Sequence, residues 1–249
     1  MEQVMHISRR QIITSLISVA CLISPPAQAQ SFLDKARKAL GGGGGTSSGL
    51  GNDEIIKGLK EALRVGSDRV VSQIGTTDGF NANPDIHIPL PPTLQKVQSA
   101  LKTVGLSGMA DDLELRLNRA AEAAAPEARQ LFWNAVSTMS IDDAQKIYNG
   151  PDDAATSYFR GRMTPELREK FTPVVNDSLR EVGAVRSYDA MIGQYKSLPF
   201  VPDVTADLSD HVVTEALGGL FLLLGREEKA IRENPAARTT EILRTVFGR

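Results

Sequence analysis

The chain has 249 residues, a formal net charge of −2, and 41% hydrophobic against 23% charged residues, the balance of an ordinary globular protein with one large core. A mildly acidic sum with a single Trp argues against the basic, aromatic footprint that nucleic acid requires. The one cysteine, Cys21, excludes a disulfide framework and a thiolate metal site.

Residues 1–29 read as an export signal. Ser8-Arg9-Arg10 supplies the positive start, residues 12–23 an apolar run, and Ala27-Gln28-Ala29 the small-residue cleavage site. Cleavage after Ala29 predicts a periplasmic protein and removes Cys21. Two export routes stay open: Arg9-Arg10 followed by Gln11-Ile12-Ile13 resembles a twin-arginine signal, while Thr14 stands where that pattern often has lysine. The apolar run spans about a dozen residues against roughly twenty for a membrane crossing, so no retained transmembrane span is expected. Ser18-Val19-Ala20-Cys21 is a poor lipoprotein box; a lipid anchor at Cys21 is the alternative to the soluble form. Residues 30–51 follow as a tether, with five consecutive glycines at 41–45 that oppose any fixed backbone. No Lys-Ser or Lys-Thr follows them, so they are not read as a phosphate loop.

Residues 52–249 are expected to form one helical domain. Asn52 is a plausible N-cap, and Ile55, Ile56, Leu59, Leu63, Val70, Val71 and Ile74 recur at helical spacing up to Gly75. Ile86, Ile88 and Leu90 alternate with His87 and Pro89, the period of a short edge strand. Helical stripes resume at Leu94, Val97 and Leu101, stopped by Gly105, and again at Leu113, Leu117, Ala120, Ala121 and Ala124. Pro126 predicts a further start, Ser140 an N-cap, and Pro151 a helix carrying Tyr158 and Phe159. Thr164-Pro165-Glu166 combines a cap, a first-turn proline and an early acid, and so predicts a new helix. A kink is expected at Pro173. Leu198-Pro199-Phe200-Val201-Pro202 must be extended. The last long helix starts near Asp207 and is apolar on nearly every side at residues 216–225, which predicts a buried central helix in which Gly218 and Gly219 pack closely. A terminal helix with Ile242, Leu243, Val246 and Phe247 follows Asn234-Pro235. The class is all-α: a bundle of eight to ten helices with at most one tiny two-stranded pairing of residues 86–90 with 198–204.

Chemistry-bearing residues are sparse. Ser99-Ala100-Leu101-Lys102 has the Ser-x-x-Lys spacing without its companion motifs, and His87 and His211 are too few for a zinc site. Asp152 and Asp153 beside Tyr158, Arg160 and Arg162 form the densest polar–aromatic cluster. Paired acids suit a cation or a shared proton; equally, they complement the dipole of a helix opening at Pro151. Glu114, Arg116, Arg119 and Glu122 are either an anion site or a solvated face laced with weak ion pairs. Arg116, Arg119, Asp153 and Tyr158 are therefore the candidate ligand-binding residues. No catalytic residue, metal site or cofactor is assigned.

Several segments together resemble an uncharacterised bacterial family, the domain of unknown function 4197. They include Lys60-Glu61-Ala62-Leu63-Arg64-Val65-Gly66, Ile88-Pro89-Leu90-Pro91, residues 113–122, residues 153–159, residues 198–202 and residues 234–240. The resemblance implies an exported, mostly helical protein of Gram-negative bacteria and carries no activity or catalytic residues with it. The expected function is a non-catalytic binding or interaction module whose partner is an envelope protein or small ligand. The alternatives are an envelope carrier of lipid or another apolar ligand, and a hydrolase or cation site around Asp152 and Asp153.

Overall fold

The computed structural model describes residues 52–202, 205–233 and 244. The predicted signal, tether and terminal helix lie outside the described residues, apart from helical Arg244. The elements are α1 (Asn52–Ile74), α2 (Pro92–Thr103), α3 (Gly108–Ala124), a 3-10 turn (Ala125–Glu127), α4 (Ala128–Ser137), α5 (Ile141–Tyr148), α6 (Ala154–Glu181), α7 (Ala184–Lys196) and α8 (Leu208–Glu233). Among the described residues there is no strand, and the all-α class holds.

The apolar stripes decide the packing. α8 lies against α6, α1 and α3, while α3 also contacts α6 and α7. Ala110, Ala120, Ala121 and Ala124 on α3 are fully buried, and their short side chains let neighbouring backbones approach. Phe132 on α4 meets Phe159 on α6 edge-on, with ring centroids 5.4 Å apart, the arrangement favoured by the ring quadrupoles. α8 is long and apolar enough to cross a membrane, and 56% of its most apolar stretch is buried inside the domain.

Local signals set several boundaries. Gly105 has φ +76° just past α2, a left-handed position that glycine adopts without a Cβ clash. Ser140 caps α5, accepting from the Asp143 N–H at 3.1 Å. Asp207 caps α8 in the same way, accepting from the Asp210 N–H at 2.9 Å. Of the two glycines in α8, Gly219 is tightly packed. A Cβ there would stand 2.9 Å from Ile86 Cβ and 3.1 Å from the Phe80 ring, whereas Gly218 has nothing within 4 Å.

Three expectations need correction. Leu198-Pro199-Phe200, expected to be extended, form a bend and turn, with the Leu198 N–H bonded to the Tyr195 carbonyl at 3.0 Å and Phe200 at φ +61°. The helix starts predicted at Pro151 and at Thr164-Pro165-Glu166 merge into one helix, α6, which begins at Ala154 and runs through Pro165 and Pro173. Met163, Leu167, Phe171 and Val175 are all buried at intervals of four, and this unbroken stripe overrides the local start signal. Thr164 and Thr172, each just before a proline, donate their hydroxyls to the carbonyls of Arg160 and Arg168 at 2.6 and 2.8 Å. These i−4 bonds hold the turns that the prolines would loosen. Residues 86–90 form no strand: the Ile86 and His87 N–H groups turn onto the Asn83 carbonyl, and the Ile88 and Leu90 backbone groups are bonded by side chains of α3.

Candidate functional site

Residues 75–91 connect α1 to α2 with no regular structure, yet Phe80, Ile88 and Leu90 are fully buried. A buried irregular segment needs partners for its backbone groups, and α3 provides them through three residues one turn apart. Glu122 Oε1 accepts from the Phe80 and Asn81 N–H groups, both at 3.1 Å. Asn118 accepts from the Ile88 N–H at 2.9 Å and donates to the Ile88 carbonyl at 2.8 Å. Glu114 Oε2 accepts from the Leu90 N–H at 3.1 Å. The segment thus runs antiparallel along α3, and Asn118 closes the same pair of bonds that a neighbouring strand would. Asn118 is 0% exposed and Glu122 5%, so this face is not the solvated one that the charge pattern suggested.

The two histidines of the described chain hold the same segment. His87 Nδ1 lies 2.9 Å from the Asn81 carbonyl, which only accepts, so this nitrogen carries a proton; Nε2 lies 2.9 Å from Glu114 Oε1. His211 Nε2 donates to the Pro89 carbonyl at 2.8 Å. Arg119 neutralises Glu122 and reaches Asp78, both at 2.7 Å. Hydrogen bonds from Asn81 and Arg119 hold the Asp78 carboxyl below its ordinary range.

A second clasp sits at the start of α6. Glu228 on α8 accepts from the Ala155 and Thr156 N–H groups at 2.9 Å and from the Thr156 hydroxyl at 2.8 Å, which caps α6 from another helix. Arg232 pairs with Glu228 at 3.0 Å and donates to the Ile147 carbonyl at 2.8 Å, tying in the end of α5. Asp153, expected inside the first helical turn, instead stands just before the helix and makes no capping bond. Arg160 and Arg162 are likewise far from the end of α6 at Glu181, so they do not complement its C-terminal dipole.

Two concavities flank this clasp. One, of about 400 Å³, lies between the start of α6 and the outer face of α8; Phe221 and Leu222 form its apolar part, Asp152 and Asp153 its acids, and Arg160, Arg226 and Lys229 its cations. Arg160 stacks on the Phe221 ring at 5.3 Å, and Arg226 pairs with Asp85. The other, between α1 and α8, is almost wholly apolar and leaves about 20 Å³ for a water-sized sphere, room for about one water.

The four sequence-derived candidates have separate partners. Arg116 makes a two-pronged bond to Asp112 at 2.7 and 3.0 Å. Arg119 serves the loop. Asp153 lines the α6–α8 cleft, where the Ser157 hydroxyl donates to it at 3.3 Å. Tyr158 packs edge-on against Phe159, and burial, opposed by Arg162, pushes its hydroxyl above the usual range. Asp152 joins Asp153 in the cleft. Sequence reasoning missed Asn118 and Glu228, whose signal is a polar residue set beside an apolar stripe.

No curated protein and no solved structure matches the chain. A family model described as a protein of unknown function, DUF4197, matches residues 49–248. The chain belongs to the DUF4197 family.

Proposed function

We propose that the protein is an exported, periplasmic helical module that binds an envelope partner, by non-covalent contact, at the cleft between the start of α6 and the outer face of α8. The carrying observation is the lining of that cleft: Leu222, 41% exposed, lies with Phe221 among two acids and three cations. An apolar anchor ringed by both signs of charge suits a polypeptide segment or a small zwitterionic ligand. The scaffold beneath is stiffened by Glu228 and Arg232, whose charged groups are engaged in holding backbone. α8 is read as the central helix of a soluble domain, with residues 1–29 removed on export and the tether at 30–51 left outside the fold. Arg116 and Arg119 act as scaffold in this reading, while Asp153 contacts the partner and Tyr158 supports the wall behind it.

A photo-crosslinker replacing Leu222 in living cells tests the site, with Ile141, 58% exposed, as the control position. The expected result is a discrete adduct at 222 that Arg160→Glu abolishes while the helical circular dichroism is unchanged. Identical background at both positions would sink the proposal. Intact-mass measurement on the periplasmic fraction tests the export reading, with loss of residues 1–29 expected and a full-length cytoplasmic protein counting against it.

A further inference from the structure

We propose that the contact between His87 and Glu114 is a proton-operated latch on residues 75–91, closed in mild acid and released as pH rises. His87 Nδ1 lies 2.9 Å from the Asn81 carbonyl, and Nε2 lies 2.9 Å from Glu114 Oε1. A neutral imidazole has one donor and one acceptor, yet both ring nitrogens here face oxygen. The Asn81 carbonyl takes the proton on Nδ1. The Nε2 contact therefore needs a second proton, whether that proton rides on the ring or on the carboxyl. Without it, the Nε2 lone pair and a carboxylate oxygen stand at hydrogen-bond distance with nothing between them.

The latch acts on backbone. Glu114 holds the ring with Oε1 and the Leu90 N–H with Oε2 at 3.1 Å, so a shift at one oxygen is felt at the other. The His87 N–H closes a turn onto the Asn83 carbonyl at 2.8 Å. The His87 side chain is 30% exposed, which lets the proton exchange with solvent and gives the released ring a way out. Ile88 and Leu90 beside it are fully buried, and release loosens their seat. Other charges border the segment. α3 adds Arg119, paired with Glu122 and Asp78. α8 adds His211, Arg226 paired with Asp85, and Glu215 between them on the same side of the helix. α2 contributes the uncharged Gln95, which donates to the Leu90 carbonyl at 2.8 Å. His211 is a fixed pin by contrast: its Nε2 donates to the Pro89 carbonyl at 2.8 Å, a bond that a neutral ring makes equally well. Histidine is the side chain that trades its second proton between about pH 5 and 8. The latch's stabilisation is complete below that window and lost above it.

The test follows amide exchange in the full chain, corrected for the intrinsic effect of pH, with NMR of the histidine rings alongside. Protection of the Leu90 N–H is expected to fall about tenfold between about pH 5 and 8, in step with titration of the His87 ring. The Phe80 N–H, held by Glu122, is expected to keep its protection. In His87→Gln the side-chain amide donates to Glu114 at every pH, so the fall at Leu90 is expected to vanish. His211→Gln is expected to keep it. Should His87→Gln fail to fold, Glu114→Gln takes its place, since its amide donates to the neutral ring. Should both fail, the coincidence of ring titration and Leu90 exchange in the parent decides. Protection at Leu90 that is the same at both ends of the range would overturn the proposal. So would a fall that survives in a folded His87→Gln, that disappears in His211→Gln, or that runs out of step with the His87 ring.

Discussion

Ile88-Pro89-Leu90-Pro91 and Leu198-Pro199-Phe200-Val201-Pro202 are built alike, with apolar residues set between prolines, and they meet opposite fates. Ile88 and Leu90 are fully buried, whereas Phe200 is 105% exposed and stands at φ +61°. Leu198 and Val201, half-buried, pack against the core on either side of it, while Pro199, Phe200 and Pro202 are exposed. The difference lies in what each segment faces. The first runs along Glu114 and Asn118, which bond the backbone groups it cannot pair with itself. α3 holds the carrier of the second: Asp112 accepts from Ser187 on α7 at 2.7 Å, and α7 leads into the segment. An extended proline-rich stretch enters a helical core when a neighbouring helix presents matching polar groups.

The comparison breaks first at Asn118. Asn118→Leu leaves the Ile88 N–H and carbonyl without partners in a dry site, and is expected to cost about 3 kcal/mol in urea-melt stability. A cost under about 0.5 kcal/mol would mean the ladder is dispensable. Gly219→Ala presses a methyl group into Ile86 and Phe80 from the α8 side and is expected to cost about 1–3 kcal/mol by the same melt. Gly218→Ala, one residue away in open space, is expected to gain up to about 1 kcal/mol.

The exposed segment behaves in the reverse sense. Phe200→Gly relieves a left-handed conformation at the expense of a more flexible unfolded chain, so a net gain of up to about 1 kcal/mol in thermal stability is expected. A loss would mean that the ring contributes to the fold. The smallest effect falls on the link between the two regions. Hydrogen bonds from Arg116 and Ser187 hold the Asp112 carboxyl below its ordinary value of 3.8. The stabilisation is therefore complete above that value and is lost as pH falls through the lowered one. Asp112→Asn is expected to cost a few tenths of a kcal/mol to about 1 near neutrality. The gap to the parent should close as pH falls below 3.8 in paired melts.

The helical class and most of the core were legible because apolar residues recur at helical spacing, as Leu113, Leu117, Ala120, Ala121 and Ala124 do on α3. Caps at Ser140 and Asp207 were legible from single residues. The continuity of α6 was not, since Thr164-Pro165-Glu166 carries every local mark of a helix start and only the burial of Met163, Leu167, Phe171 and Val175 holds the helix through it. The α3 ladder was hidden for a different reason. Glu114 and Glu122 bracket Arg116 and Arg119, a mixed-sign set that reads as a solvated face. The clue was Asn118, directly beside Leu117 and one turn from both glutamates. Of the candidate ligand residues, Asp153 alone lines the cleft assigned to a partner.

Glu228 caps a helix through the N–H of Ala155, 73 residues earlier, and Glu227 beside it pairs with Arg69, 158 residues away. A chain emerging from its N-terminus thus exposes the bare start of α6 until α8 is delivered. Closure waits for the last long helix, and a polypeptide stopped short of it has the stripes of the bundle without its fastenings. The fold is completed from its far end.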